Sequence, residues 1–304
     1  MGWWCFINEH NLPEGIIIRG RGGFYTILSP DGSECTLRCK KKFKHIHMTP
    51  MIGDRVLFIP GSKTENGWIE DILERKNSFI RPPVANVDAM INVLSPVPQP
   101  DLLLLDRMLV YAYKAGVEPL IVVNKSDIDE KTYEDVKRQY QPSGVQTMCV
   151  SAEKETGLDS LKSWMKGKIC CFCGQSGVGK SSILGKLLER ELETGSISEK
   201  IERGKNTTRH SELLISKDGI RVMDTPGFSL LELEGGIEPT ELQDYYPEIT
   251  SAQMSCKFSP CYHQGEPGCG VEELIKRGGI SRERYERYLR LLSAVKESWR
   301  NRYD

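Results

Sequence analysis

The segment GQSGVGKSS, Gly174–Ser182, fits the phosphate-loop pattern G-x-x-x-x-G-K-[ST]. Gly174, Gly177 and Gly179 let the backbone curl so that the N–H groups of Gln175, Ser176, Gly177 and Val178 can cradle phosphate oxygens. Lys180 is placed to reach the β- and γ-phosphates and Ser181 to ligate Mg²⁺. Ser182 follows as a helix opens, and the helix N-terminus adds a positive field. The stretch follows an apolar run, KICCFC, and precedes SILGKLLER, so strand, loop and helix come in the order this chemistry needs.

Phosphate loops serve ATP and GTP alike, and NKSD at Asn124–Asp127 bears on the base. Asn124 and Asp127 could bond the guanine edge, with the carboxylate accepting from N1–H and the exocyclic amine; Lys125 and Ser126 complete the element. Adenine lacks that donor pair, and a carboxylate left unpaired would penalise it. SAEKETGL begins at Ser151, again after a strand, and the backbone near Ala152 suits a contact to the guanine carbonyl. DTPGF follows the run IRVM: Asp224 would hold Mg²⁺ through water and Gly227 would sense the γ-phosphate. Between phosphate loop and DTPGF lies GKNTTRH, where a Mg²⁺-binding threonine of a switch loop belongs; Thr208 is the first choice and Thr207 the second. The order is base reader, base support, phosphate loop, switch, DTPG. Ordinary GTPases begin at the phosphate loop, so this order is a circular permutation. Such a change is cheap when the original termini lie close together. The helix LDSLKSWMK is the joining segment.

A second chemistry sits downstream. CKFSPCYHQGEPGC sets Cys256, Cys261, His263 and Cys269 within fourteen residues. Three thiolates and one imidazole suffice for a closed tetrahedral Zn²⁺ site, which implies a structural role. Cys170, Cys171 and Cys173 read instead as strand residues of the core.

Three kinds of element must position these groups. From residue 16 to about 72, the runs GFYTIL, ECTLRC, RVLFIP and GWIEDIL alternate with turn clusters and predict a small barrel, possibly of OB-fold type. RPPVANVD reads as a Pro-marked linker. Beyond it, apolar strands (AMINVLS, EPLIVV, QTMCVS, KICCFC) alternate with helices, which predicts a parallel sheet in an α/β layer fold. SELLISKDGIRVMD reads as a hairpin. The chain ends in a helix with Tyr285, Tyr288, Leu289, Leu292, Val295 and Trp299 on one stripe and seven Lys/Arg interleaved, which are open to RNA phosphates. The predicted whole is a circularly permuted α/β P-loop GTPase core with an N-terminal β-barrel and a C-terminal α-helical zinc-binding domain. The expected boundaries are 1–72, 73–232 and 233–304.

With 304 residues the chain has ample length for a buried core. A net charge of −1 argues against whole-chain attraction to nucleic acid and leaves only local patches. One such patch is RCKKKFKHIH, Arg38–His47, with five Lys/Arg and two His. It reads either as a charged edge that resists aggregation or as a phosphate-contacting surface with Phe43 available to stack. The opening MGWWCFINEHNLPEG lacks a basic head and apolar run, and no apolar window is long enough to span a bilayer; a cytoplasmic protein is expected, with its cysteines reduced or metal-bound.

Taken together, the chain resembles the RsgA (YjeQ) family, the ribosome small-subunit-dependent circularly permuted GTPases. IGDRV, RPPVANVD, NKSD, GQSGVGKSS, DTPGF, EPTELQDYYPE, EPGCGV and ISRERYERYLRLL carry the resemblance over nearly the whole chain. It implies GTP hydrolysis stimulated by the small (30S) ribosomal subunit, binding to its rRNA, and a late step of subunit maturation, with a monomer expected. It also marks a departure. The family's switch resembles GRHTTTH, whose first His is a proposed catalytic residue; here that position is Asn206, Arg209 replaces the third Thr, and His210 remains. Asn206 could bond a water but not act as a base. Phe228, after DTPG, cannot orient water, which leaves His210 or ribosomal RNA for that part. The competing expectation is a nucleotide-gated RNA-binding module with little hydrolysis. An ATPase is the third.

Overall fold

The computed structural model describes residues 12–40, 43, 48–61, 67–80, 82–189, 211–224 and 236–301. The chain divides into two compact units, one formed by 1–88, 165–171 and 205–228, the other by 89–164, 172–204 and 229–304.

In the first unit five strands close a barrel: β1 (Glu14–Arg21), β2 (Phe24–Leu28), β3 (Glu34–Cys39), β4 (Arg55–Ile59) and β5 (Trp68–Ile72). Their order is β1-β2-β3-β5-β4, and β4 returns to β1 through Glu14↔Leu57 and Gly15↔Val56. Alternation fills the interior: Ile17, Ile27, Val56 and Ile69 are fully buried. Four of these strands are legible as apolar runs between turns. β1 was not among them, although its EGIIIRGR carries the β-branched signal and supplies the closing edge.

The segment read as a linker is packed. Val84 and Ala85 form β7, which pairs with β6 (Ser78–Phe79). Asn86 Nδ2 donates to the Gly53 carbonyl at 2.9 Å, its Oδ1 accepts from Lys76 N–H, and Asn77 bonds Val87 through both backbone groups. The prolines mark fixed turns rather than slack chain. The predicted hairpin is present as β12 (Glu212–Ile215) against β13 (Arg221–Asp224), and β12 meets β1 at Arg19↔Glu212, where Arg19 Nε and Glu212 Oε1 stand 2.6 Å apart.

The second unit holds the parallel strands β8 (Ala89–Leu94), β9 (Glu118–Val123) and β10 (Gln146–Cys149), paired in the order β10-β9-β8. Every residue of β8 is buried, as a strand covered on both faces must be. The helices are α1 (Leu102–Lys114), α2 (Lys131–Tyr140), α3 (Leu158–Met165) and α4 (Lys180–Glu189), followed by α5 (Pro247–Gln253), α6 (Gly270–Lys276) and α7 (Arg282–Arg300). β11 (Ile169–Cys173) runs parallel to β13 and ends at the phosphate loop. The stripe on α7 packs as its period requires: Tyr288, Leu292 and Val295 join Val110 of α1 and Ile249 of α5 in one core.

Candidate functional site

NKSD follows β9 directly, SAEK follows β10, and GQSGVGKSS joins β11 to α4, so each loop hangs from the C-terminal end of a strand. Asn124 connects all three. It is 2% exposed. Its Nδ2 donates to Val178 O at 2.9 Å, its Oδ1 accepts from Ala152 N–H at 3.1 Å, and its own N–H bonds Leu94 O. Glycine at 179 is required by this contact: the residue has φ +94°, and a Cβ there would stand 2.2 Å from Asn124 Nδ2. Gly174 likewise has φ +124° and leaves no room for a Cβ beside Val93 O.

Lys125 sits in the left-handed region at φ 62° and its ammonium donates to Val97 O at 2.5 Å and Gly177 O at 2.8 Å. Ser126 N–H bonds Val150 O. Ser151, fully buried, donates to one carboxylate oxygen of Asp127 and accepts from Lys154 N–H at 3.0 Å. Asp127 itself remains exposed, so its carboxylate is oriented and accessible at once. Lys180 curls back over the loop and donates to Gly174 O at 2.7 Å and Gln175 O at 2.6 Å; burial lowers its pKa from the ordinary lysine value. Ser176, Ser181 and Ser182 are exposed around the mouth of the loop. Gln175 Oε1 accepts from Asp101 N–H at 2.9 Å, a partner no loop pattern announces. Asp224 ends β13. Asn206, Thr207, Thr208, His210 and Gly227 lie outside the described residues.

The ligand atoms of Cys256, Cys261, His263 and Cys269 all lie within 4.8 Å of one another. His263 Nδ1 faces the sulfurs of Cys269 at 3.3 Å and Cys256 at 3.6 Å, while its Nε2 meets Gln243 Oε1 at 2.6 Å. An outer acceptor on the second nitrogen is how a ligating imidazole is oriented. Burial lowers the His263 pKa, which favours the neutral, ligating ring. Burial, with Cys269 and Cys256 close by, pushes the Cys261 thiol up to about 12. Burial and the neighbouring sulfurs raise the Cys261 and Cys269 thiols, and a divalent cation would remove that penalty. The donor set therefore fits Zn²⁺, held by these four residues with Gln243 behind His263. Gln243 is twenty residues upstream of His263, beyond the reach of ligand spacing.

Two expectations about RNA-facing residues change. Phe43 is 2% exposed, so it cannot stack on a base. Phe24, which the sequence reading missed, is 44% exposed, and the Arg38 guanidinium lies 4.6 Å over its ring. Lys40 is paired to Glu70 beside Trp68. On α7, Arg284 and Arg287 are buried and turned inward to Asp106, Arg284 Nη1 at 2.5 Å and Arg287 Nε at 2.6 Å. Neither can meet a phosphate. No helix of the described residues is long and apolar enough to cross a membrane.

The RsgA N-terminal domain matches residues 14–69 and the RsgA GTPase family matches residues 72–234. The small ribosomal subunit biogenesis GTPase RsgA of Ruminiclostridium cellulolyticum is 44% identical over 93% of this chain and 94% of its own, and that of Clostridium novyi is 41% identical over 95% and 100%. Among solved structures, YjeQ from Thermotoga maritima superposes with a TM-score of 0.81 at 33% identity, covering 94% of this chain and 99% of its own. YloQ, described as a circularly permuted GTPase, superposes with a TM-score of 0.77 at 32% identity, covering 96% and 98%. The permuted loop order, the five-stranded barrel and these full-length likenesses converge: the chain belongs to the RsgA GTPase family and is a circularly permuted, GTP-hydrolysing enzyme.

Proposed function

We propose that this GTPase acts on the small ribosomal subunit at a late step of its assembly, binding the subunit in one nucleotide state and leaving it in another. Membership of the family implies GTP or GDP and Mg²⁺ as ligands. Asp127 reads guanine, oriented by Ser151, and the base-support loop, held to Asn124 through the Ala152 N–H, supplies a backbone donor near Ala152 to the base. Asn124 supports that reading: one buried amide ties base reader, base support and phosphate loop together. Gln175, Ser176, Gly177, Val178 and Gly179 offer their N–H groups to the phosphates, and Lys180 exchanges its loop carbonyls for phosphate oxygens. Ser181, Thr208 and Asp224 are the residues that would hold Mg²⁺, which neutralises phosphate charge when bound; Gly227 senses the γ-phosphate. His210, with Asn206 in support, positions water for hydrolysis.

The subunit as partner is inferred from the names of relatives, small ribosomal subunit biogenesis GTPases. Contact with its RNA is assigned to the barrel face carrying Arg38 and Phe24 and to the zinc segment. The test is GTP hydrolysis by the full chain with and without purified small subunits. Stimulation of tenfold or more is the expected result, and equal rates would reject the assignment. Asn206→His, measured alongside, is expected to raise the subunit-free rate if a base is what the switch lacks.

Metal content supplies a separate check. The purified protein should carry one Zn²⁺ per chain, and Cys261→Ser should lose it and unfold at lower temperature; a metal-free wild type of normal stability would remove the zinc assignment.

A further inference from the structure

A continuous set of bonds runs from the phosphate loop to the metal cluster inside one compact unit. Gln175 of the loop accepts from the N–H of Asp101, and Asp101 caps α1 by accepting from Leu104 N–H at 2.9 Å. One turn further on, Asp106 of the same helix takes both Arg284 and Arg287 of α7. Beside them on α7, Tyr285 donates to His263 O at 2.6 Å, and Tyr288 donates to Tyr262 O at 3.1 Å. His263 has φ 57°, a left-handed backbone for a residue with a side chain. Such a conformation persists only where surrounding bonds impose it, and the two tyrosines supply them.

We propose that nucleotide occupancy and metal retention are thermodynamically linked through α1, with Gln175, Asp106 and Tyr285 as positioning residues along the route. The inference rests on the nucleotide and zinc readings above. A nucleotide that fixes the phosphate loop fixes Gln175, and with it the cap of α1. Asp106 carries that constraint to α7, because two arginines on one buried carboxylate tolerate little displacement. Tyr285 and Tyr288 then hold the backbone that presents His263 to the metal. Linkage is reciprocal, so zinc must favour nucleotide binding by the same factor.

The test uses the full-length, zinc-loaded protein. Zinc release to a competing chromophoric chelator is followed without nucleotide and with saturating GDP and Mg²⁺, while GDP occupancy is read in the same samples. In the wild type GDP should slow release about fivefold or more. Asp101→Ala removes the side-chain cap of α1 and should reduce the effect to less than about twofold with GDP still bound. Tyr285→Phe, at the other end, should do the same and also hasten release. Equal release with and without GDP in the wild type overturns the proposal, as does full retention of the GDP effect in both variants. Failure to bind GDP at all overturns the nucleotide reading, failure to retain zinc the metal reading, and either takes the proposal with it.

Discussion

Replacing Arg284 with Met is expected to destabilise the protein by about 3–5 kcal/mol, because it removes one partner from a buried charge cluster. Arg284 is 1% exposed. Its Nη1 bonds Asp106, its Nε bonds Glu248, and its guanidinium lies 4.6 Å from the Tyr140 ring and 4.8 Å from the Tyr246 ring. Burial alone would lower its pKa, yet Asp106 and Glu248 together hold it well above the ordinary arginine value. Two carboxylates and two guanidinium groups balance within the cluster. Without Arg284, Glu248 loses its ion-pair partner and Asp106 keeps, among the described residues, Arg287 and the Tyr140 hydroxyl, which donates at 2.6 Å. Such a loss is a large share of the roughly 5–15 kcal/mol that holds a domain together. Arg284→Lys should rescue little: an ammonium cannot form the planar fork or stack between two tyrosines. Arg284→Met with Glu248→Gln should recover part, since the second change removes the stranded charge. The check is the urea midpoint at constant slope. A loss below about 1 kcal/mol for Arg284→Met would show that the cluster does not hold α7 to α1.

That cluster shows where sequence reading stops. The helical period of SRERYERYLRLL identifies the face of α7 that packs, and the structure bears it out in Tyr288, Leu292 and Val295. Periodicity names a face and not its partner, so the pairing of Arg284 with Asp106, 178 residues away, had no local signal. Arg284 and Arg287 therefore read as surface cations open to phosphate, and burial reversed that. Phe43 failed for a related reason: a charged run said nothing of which way its one aromatic side chain points. The metal cluster was legible because all four candidate ligands lie within fourteen residues, whereas Gln243, which orients His263, is remote in sequence. The loops were legible because phosphate and base chemistry restrict residue type at fixed spacing. Their order along the chain needed no structure to be seen as permuted. What only the structure supplies is how Asn124 unites them.

Asn124→Ala and Asp127→Asn should consequently fail in different ways, although both residues belong to NKSD. Asn124 spends its amide inside the protein: removal orphans the Val178 carbonyl and the Ala152 N–H, both in buried residues. Each buried group left unpaired costs about 1–3 kcal/mol. Part of that cost should appear as lower stability of the free protein. The rest should weaken GTP and GDP alike, by about 30-fold or more, since the loops that meet base and phosphates lose their common anchor. Preference for guanine over adenine should persist, because Asp127 and Ser151 are untouched. Asp127→Asn reverses the pattern. The side chain keeps its size and can still bond Ser151, so the loops stay in place. It now offers an oxygen and an N–H where guanine needs two acceptors, and guanine should lose its advantage. Titration of both variants with GTP, GDP and ATP separates the roles. Loss of base preference in Asn124→Ala, or unchanged preference in Asp127→Asn, would mean that the reading of the base is shared and that Asn124 is more than an anchor.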